Sequence, residues 1–144
     1  MALLSIIIPI LNESKSGFLA KILQAYSELE HCEIICVDGG SEDDSCDLAR
    51  RSGARLIETD ISSRAGRLNV GIKQARHDLI LLHHPRSLLA VASVEALIKQ
   101  ATTVQWGAFT HRFDLQHPLL RFTSWYSNHI RGDRRGIYYL DHCL

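Results

Sequence analysis

Apolar positions along the chain fall into two alternating rhythms. Leu3 to Ile8 is a near-continuous apolar run, the pattern of a strand covered on both faces of a parallel sheet, and Pro9 ends it or marks its rim. Leu19, Ile22, Leu23, Tyr26 and Leu29 then share one stripe at helical spacing. Glu33 to Val37 is a second strand rich in β-branched residues, so the start reads β-α-β with a right-handed crossover. Glu42 to Ser52 predicts a second helix, with Ser41 as N-cap and Asp44 three residues on. Its acidic first turn and Arg50-Arg51 near its end both suit the helix dipole. Gly53 closes it, and Ala54 to Ile57 is a short third strand.

Ile61 to Ala65 is a polar loop. A helix over Arg64 to Arg76 follows, with Leu68, Ile72 and Ala75 inward. Asp78 to Leu82 is the fourth strand, stopping at His83-His84-Pro85-Arg86-Ser87. Ser93 caps a helix running to Ala101, and Val104 to Phe113 alternates as a strand. His117-Pro118 opens a last helix with proline at N1 and the stripe Leu119, Phe122, Thr123, Tyr126 and Ile130. A basic loop, Arg131 to Gly136, leads to a last strand over Ile137 to Leu140 and then Asp141. Strands alternating with helices predict an α/β fold: a single doubly wound, mostly parallel sheet.

Composition narrows the classes. The 144 residues are 46% hydrophobic and 22% charged, which suits one domain spanning 1–144. Sixteen basic and sixteen acidic side chains cancel, which argues against a generic nucleic-acid binder. No apolar run approaches the length of a membrane span, and the opening lacks the basic region of a signal peptide. Cys32, Cys36, Cys46 and Cys143 include no Cys-x-x-Cys pair. Reduced thiols, a cytoplasmic location and no zinc site are the expectation.

Candidate chemistry gathers at strand ends, where open α/β sheets bind ligands. Asp38 ends the second strand beside the Gly39-Gly40 turn and a helix start rich in donors. Two readings stand side by side: Asp38 accepts hydrogen bonds from its own loop, or it meets a ligand. His83-His84-Pro85-Arg86 ends the fourth strand in the same way.

Four stretches together resemble the family 2 glycosyltransferases, whose fold is the A-type nucleotide-diphospho-sugar transferase fold. Ser5-Ile6-Ile7-Ile8-Pro9-Ile10-Leu11-Asn12-Glu13 is similar to the opening strand and Pro-x-x-Asn-Glu loop. Val37-Asp38-Gly39-Gly40-Ser41 resembles the Val-Asp-x-x-Ser-x-Asp turn, and Arg64-Ala65-Gly66-Arg67-Leu68-Asn69-Val70-Gly71 resembles the Arg-x-x-x-Asn-x-Gly helix start. Leu79 to Arg86 stands where the family has an apolar strand and an Asp-x-Asp metal motif. Some bacterial members carry a His-Ala-Asp-Thr pattern there, with further segments similar to Arg112-Phe113-Asp114, Pro118-Leu119-Leu120 and Gly136 to His142.

The resemblance implies an inverting transferase that uses a nucleotide-sugar, a UDP-sugar, and an unidentified acceptor. It places Pro9, Asn12, Glu13, Asp38, Gly39, Gly40, Arg67 and His83 at the donor. Asp38 would read a uracil imide N–H, Glu13 and its loop would lie against the ribose, and Arg67 would meet the base or the diphosphate. Asp141 would be the base on the acceptor side, where the chain is shorter than the usual members. Pro85 falls on the metal-binding aspartate and has no side-chain ligand, so no metal residue is assigned and Mn²⁺ or Mg²⁺ loses its usual carboxylate. His83, as an imidazole, suits Mn²⁺ or zinc better than Mg²⁺. The alternative is a catalytically silent nucleotide-binding or interaction module of the same fold.

Overall fold

The computed structural model describes residues 4–100, 106–135 and 142–143. Four strands pair in parallel: β1 (Leu4–Ile10), β2 (Cys32–Asp38), β3 (Arg55–Glu58) and β4 (Leu79–His83). A two-residue strand, β5 (His142–Cys143), pairs antiparallel with β4. The order across the sheet is β3-β2-β1-β4-β5. The helices are α1 (Phe18–Tyr26), α2 (Ser45–Arg51), α3 (Arg64–Gln74), α4 (Val91–Gln100) and α5 (Pro118–Tyr126), which continues as a π-helix over Ser127–Asp133. The doubly wound α/β expectation therefore holds.

All seven residues of β1 are buried, as a central strand covered on both faces requires. Leu4, Ile6, Ile8 and Ile10 join Leu19, Ile22 and Leu23 of α1 and Val94, Leu97 and Ile98 of α4 in the larger core. Ile7, Ile35 and Val37 form the smaller core with Leu68 of α3 on the opposite face. Each such side chain contributes roughly 1.5–3 kcal/mol by burial, so these two layers set the sheet's position. Chain order reverses between β1 and β4, which places a topological switch point at their carboxyl ends.

Several local expectations are corrected. β1 runs through Pro9 to Ile10 instead of stopping at Ile8. Its pairing with β4 ends at Ile7, so on that flank the missing Pro9 N–H has no ladder partner to lose. α2 begins at Ser45, three residues later than predicted, because Ser41 and Asp43 bond to the loop after β1. α4 starts at Val91, leaving Ser93 inside the helix rather than capping it. The inner face of α3 is Arg67, Leu68 and Gly71, with Ile72 turned out. A Cβ at Gly71 would lie 2.3 Å from Ile7 Cγ2, so the helix approaches β1 most closely where it has no side chain.

The second half departs further. Residues 106–117 form no strand beyond an isolated bridge at Ala108. Pro118 does open α5, with the His117 ring accepting from Leu119 N. The predicted apolar stripe faces outward, however: Leu119 is 64% and Phe122 58% exposed, while Ser124 and Ser127 are buried. Arg131 is helical rather than in a loop. The predicted strand over 137–140 lies outside the described residues.

Candidate functional site

The carboxyl ends of β1, β2 and β4 bring most of the singled-out residues to one rim. Gly39 N donates to Ile10 O at 3.1 Å, which locks the ends of β1 and β2 together. Gly40 takes φ 94°, a turn that non-glycine side chains resist. The chain then curls back onto Asp38. Its Oδ2 accepts from Gly40 N at 2.8 Å and Ser41 N at 2.9 Å, and its Oδ1 accepts from the Ser41 hydroxyl. Asp38 is 3% exposed. Burial opposes its charge, but the Ser41 and Gly40 hydrogen bonds outweigh burial and hold the carboxyl below its usual range. The loop-bonded reading of Asp38 is thus realised, by an ionised group that accepts only.

Asn12, in the left-handed region at φ 54°, staples the loop after β1 to this turn. Its N–H donates to Ser41 Oγ at 2.9 Å, and its side-chain oxygen accepts from Glu42 N at 2.8 Å. A second staple sits beside it. Asp43 accepts from the Ser14 N–H and hydroxyl at 3.0 and 2.6 Å, and from the Ser45 N–H and hydroxyl at 3.0 and 2.5 Å. Burial works against the Asp43 charge, but these four bonds bring the carboxyl down to about 2. By sequence Asp43 belongs to an acidic first turn that suits the helix dipole. The available signal was its place as the last aspartate of the Val-Asp-x-x-Ser-x-Asp pattern.

Arg67 is 6% exposed and packs under the turn. Its Nη1 donates to Ile61 O at 3.2 Å and Ser62 O at 2.5 Å, while its Nε is buried without a hydrogen-bond partner. Desolvation lowers its pKa, opposed by the nearby charges of Asp38 and Glu13. A Cβ on Gly39 would lie 2.5 Å from Arg67 Nη1, so only glycine leaves room for the guanidinium.

Glu13 is 8% exposed, and its Oε2 accepts from Arg86 Nε at 2.7 Å. Glu13 follows β1 and Arg86 follows β4, so this ion pair bridges the switch point. Arg86 is more than half exposed, and its pKa is raised by the Glu13 bond and charge. His83 is set apart. It is 1% exposed, its Nδ1 donates to His84 O at 2.9 Å, and its Nε2 lies 2.9 Å from the Tyr26 hydroxyl. Burial pushes that tyrosine up to about 12. The ring faces α1 and the core rather than the rim that holds Asp38. Asp141 lies outside the described residues.

Among the described residues no group of three or more His, Cys, Asp or Glu side chains could hold a metal ion. At the end of β4 the His83 ring bonds through both nitrogens, and Pro85 brings no ligand. No helix among the described residues is long and apolar enough to cross a membrane.

The family model for glycosyl transferase family 2 matches residues 5–109. No curated protein matches the chain. Among solved structures, the mannosyltransferase PcManGT from Pyrobaculum calidifontis, in complex with GDP-Man and Mn²⁺, is similar at TM-score 0.69 and 15% identity. That likeness covers 97% of this chain and 43% of that one. Glucosyl-3-phosphoglycerate synthase from Mycobacterium tuberculosis follows at TM-score 0.67 and 19% identity, over 94% of this chain and 52% of that one. S. aureus TarS 1-349 with UDP-GlcNAc gives TM-score 0.63 and 16% identity, over 80% and 36%. At these identities the likeness establishes the fold. The chain spans about half the length of these structures or less.

Proposed function

The chain belongs to glycosyl transferase family 2, and on that premise we propose that it transfers a sugar from a UDP-sugar to an acceptor with inversion. The observation that carries the reading is the pre-formed rim of Asp38, Glu13, Arg67 and Arg86 at the switch point. Asp38 is an ionised acceptor at the end of β2, suited to a donor N–H such as the uracil imide. Its Oδ2 already takes two N–H bonds, which disfavours the two-donor edge of guanine. Pro9, Asn12, Gly39 and Gly40 hold the backbone against which the base and ribose lie. His83 orients the β4 end through His84 and Tyr26.

The acceptor oxygen attacks the anomeric carbon, its proton passes to Asp141, and the bond to UDP breaks with its electron pair on the diphosphate. Asp141 directly precedes His142, whose backbone pairs with His83. The leaving group needs a fixed positive charge. Arg86 supplies it in this reading, because only its Nε is engaged, by Glu13, among the described residues. The end of β4, which lacks a carboxylate at Pro85, favours a second reading, a silent nucleotide-binding module.

Calorimetry and a UDP-release assay with a panel of UDP-sugars, in Mn²⁺ and in EDTA, separate the two. We expect saturable UDP-sugar binding that EDTA leaves within about twofold, and UDP release that falls roughly 10²-fold or more in Arg86→Gln. Binding without release establishes the silent module. Failure to bind any UDP-sugar refutes both.

A further inference from the structure

α5 turns its apolar stripe away from the domain, and no residue of the strand-end rim lies on it. Ser124 and Ser127 are buried, while Leu119, Phe122, Trp125 and Tyr126 are exposed, Trp125 at 50%. Their helical spacing puts these four on one face. The rings form a continuous ladder: Phe122 lies 6.0 Å from Trp125 and 6.2 Å from Tyr126 between centroids, and Trp125 lies 5.8 Å from the His129 ring. A contiguous exposed apolar face of this kind marks an interaction surface. The charge around it has one sign. Residues 106–135 hold five arginines against two aspartates, although the whole chain is neutral, and no acidic residue stands between Asp114 and Asp133. Arg121 is one helical turn before Trp125, at the edge of the stripe, and Arg134 and Arg135 are exposed just past the helix.

We propose that this face of α5 docks on an anionic lipid bilayer. An amphipathic helix lies in the plane of a membrane when aromatic and aliphatic side chains cover one face and basic ones flank it. Leu119 and Phe122 then enter the acyl boundary. Trp125 and Tyr126 keep their N–H and O–H groups at the headgroup level, the depth such rings favour. Arg121, Arg134 and Arg135 meet lipid phosphates and so select an anionic surface. The same charge argues against a second copy of the chain, because an isologous contact sets one positive patch against another. A single-stranded nucleic acid follows a positively charged groove, whereas this is the convex side of one helix. The docking face stands independently of the transferase reading, since it shares no residue with the rim.

The test uses the full chain carrying Trp106→Phe, which leaves Trp125 as the only tryptophan. It is titrated with phosphatidylcholine vesicles containing about a third phosphatidylglycerol, with vesicles of phosphatidylcholine alone, and with a single-stranded oligothymidylate. Co-sedimentation with the anionic vesicles should saturate, and Trp125 emission should move to shorter wavelength as the ring leaves water. Neutral vesicles should bind at least about tenfold more weakly, and so should anionic vesicles in about 1 M NaCl, where charges are screened beyond roughly 3 Å. Phe122→Ser/Trp125→Ser, made in the otherwise native chain at two exposed positions, should lose vesicle affinity about tenfold or more by sedimentation. Sedimentation without a Trp125 shift places the contact elsewhere and overturns the proposal, as does a folded double variant that binds like wild type. Equal binding to neutral vesicles overturns the anionic partner. Absence of vesicle binding overturns the bilayer: a dimer that the double variant abolishes then assigns the face to a second copy, and a Trp125 shift with oligothymidylate assigns it to a nucleic acid. If the double variant does not fold, by circular dichroism, the Trp106→Phe signal decides alone.

Discussion

Replacing Asp38 with asparagine changes one oxygen for an amide nitrogen, and the surrounding loop dictates which one. Two N–H groups, from Gly40 and Ser41, point at Oδ2 at 2.8 and 2.9 Å. An amide nitrogen there would face two donors, so the amide oxygen takes that place and the NH₂ takes the place of Oδ1. Ser41 Oγ can turn and accept from it. Two bonds to a charged acceptor become neutral ones, at about 1 kcal/mol each, so the variant folds with roughly 2 kcal/mol less stability. The group in the Oδ1 position is now a donor. A uracil imide N–H meets a donor instead of a carboxylate, and UDP affinity falls by about 1.5–3 kcal/mol, or roughly 10- to 150-fold. Cytosine offers an acceptor at the same ring position, so CDP should hold its affinity or gain. Calorimetric titration of both nucleotides against both proteins measures this. Equal losses for UDP and CDP, or unchanged UDP affinity in the folded variant, would refute the assignment of Asp38 to the base.

The other expectations concern the turn that carries the rim. Asp43 has its pKa brought down to about 2, so its network stabilises the fold fully above the unfolded value of about 4 and loses that contribution as pH falls through the folded value. The difference in melting temperature between wild type and Asp43→Asn should therefore shrink from about pH 4 to about pH 2; a difference that is flat across that window contradicts the network. Gly39→Ala puts a methyl 2.5 Å from Arg67 Nη1 and 3.0 Å from Ile61 O. It should cost about 1–3 kcal/mol by urea unfolding and weaken UDP binding; a variant as stable as wild type shows that Arg67 moves freely.

Much of the first half was legible because its apolar runs have one reading each. β1, β2 and β4 are too short for buried helices, β1 and β2 are also rich in β-branched residues, and α1 carries its stripe without interruption. The rim positions followed from strand ends plus turn chemistry. What the pattern concealed was partnership at a distance. Glu13 and Arg86 are 73 positions apart, and nothing local pairs them. Nothing in the local pattern marks Arg67 as buried; Gly39, across the turn, provides its space. Periodicity reports amphipathicity without saying which side the domain covers: Leu119, Phe122 and Tyr126 of α5 obey the helical spacing and still face out.

The sheet order also sets a timetable for the nascent chain. β1 is made first yet sits between β2 and β4, with Leu4 opposite Cys32 on one side and Leu79 on the other. The first partner emerges soon after, but the second follows Leu4 by 79 − 4 = 75 residues. At roughly 5–20 residues per second, β1 waits about 4–15 s with one edge unpaired. Through that interval residues 4–58 can form only a three-stranded sheet whose most apolar strand is its edge. Slower synthesis over residues 59–83 lengthens that exposure, and a lower soluble yield is the expected result.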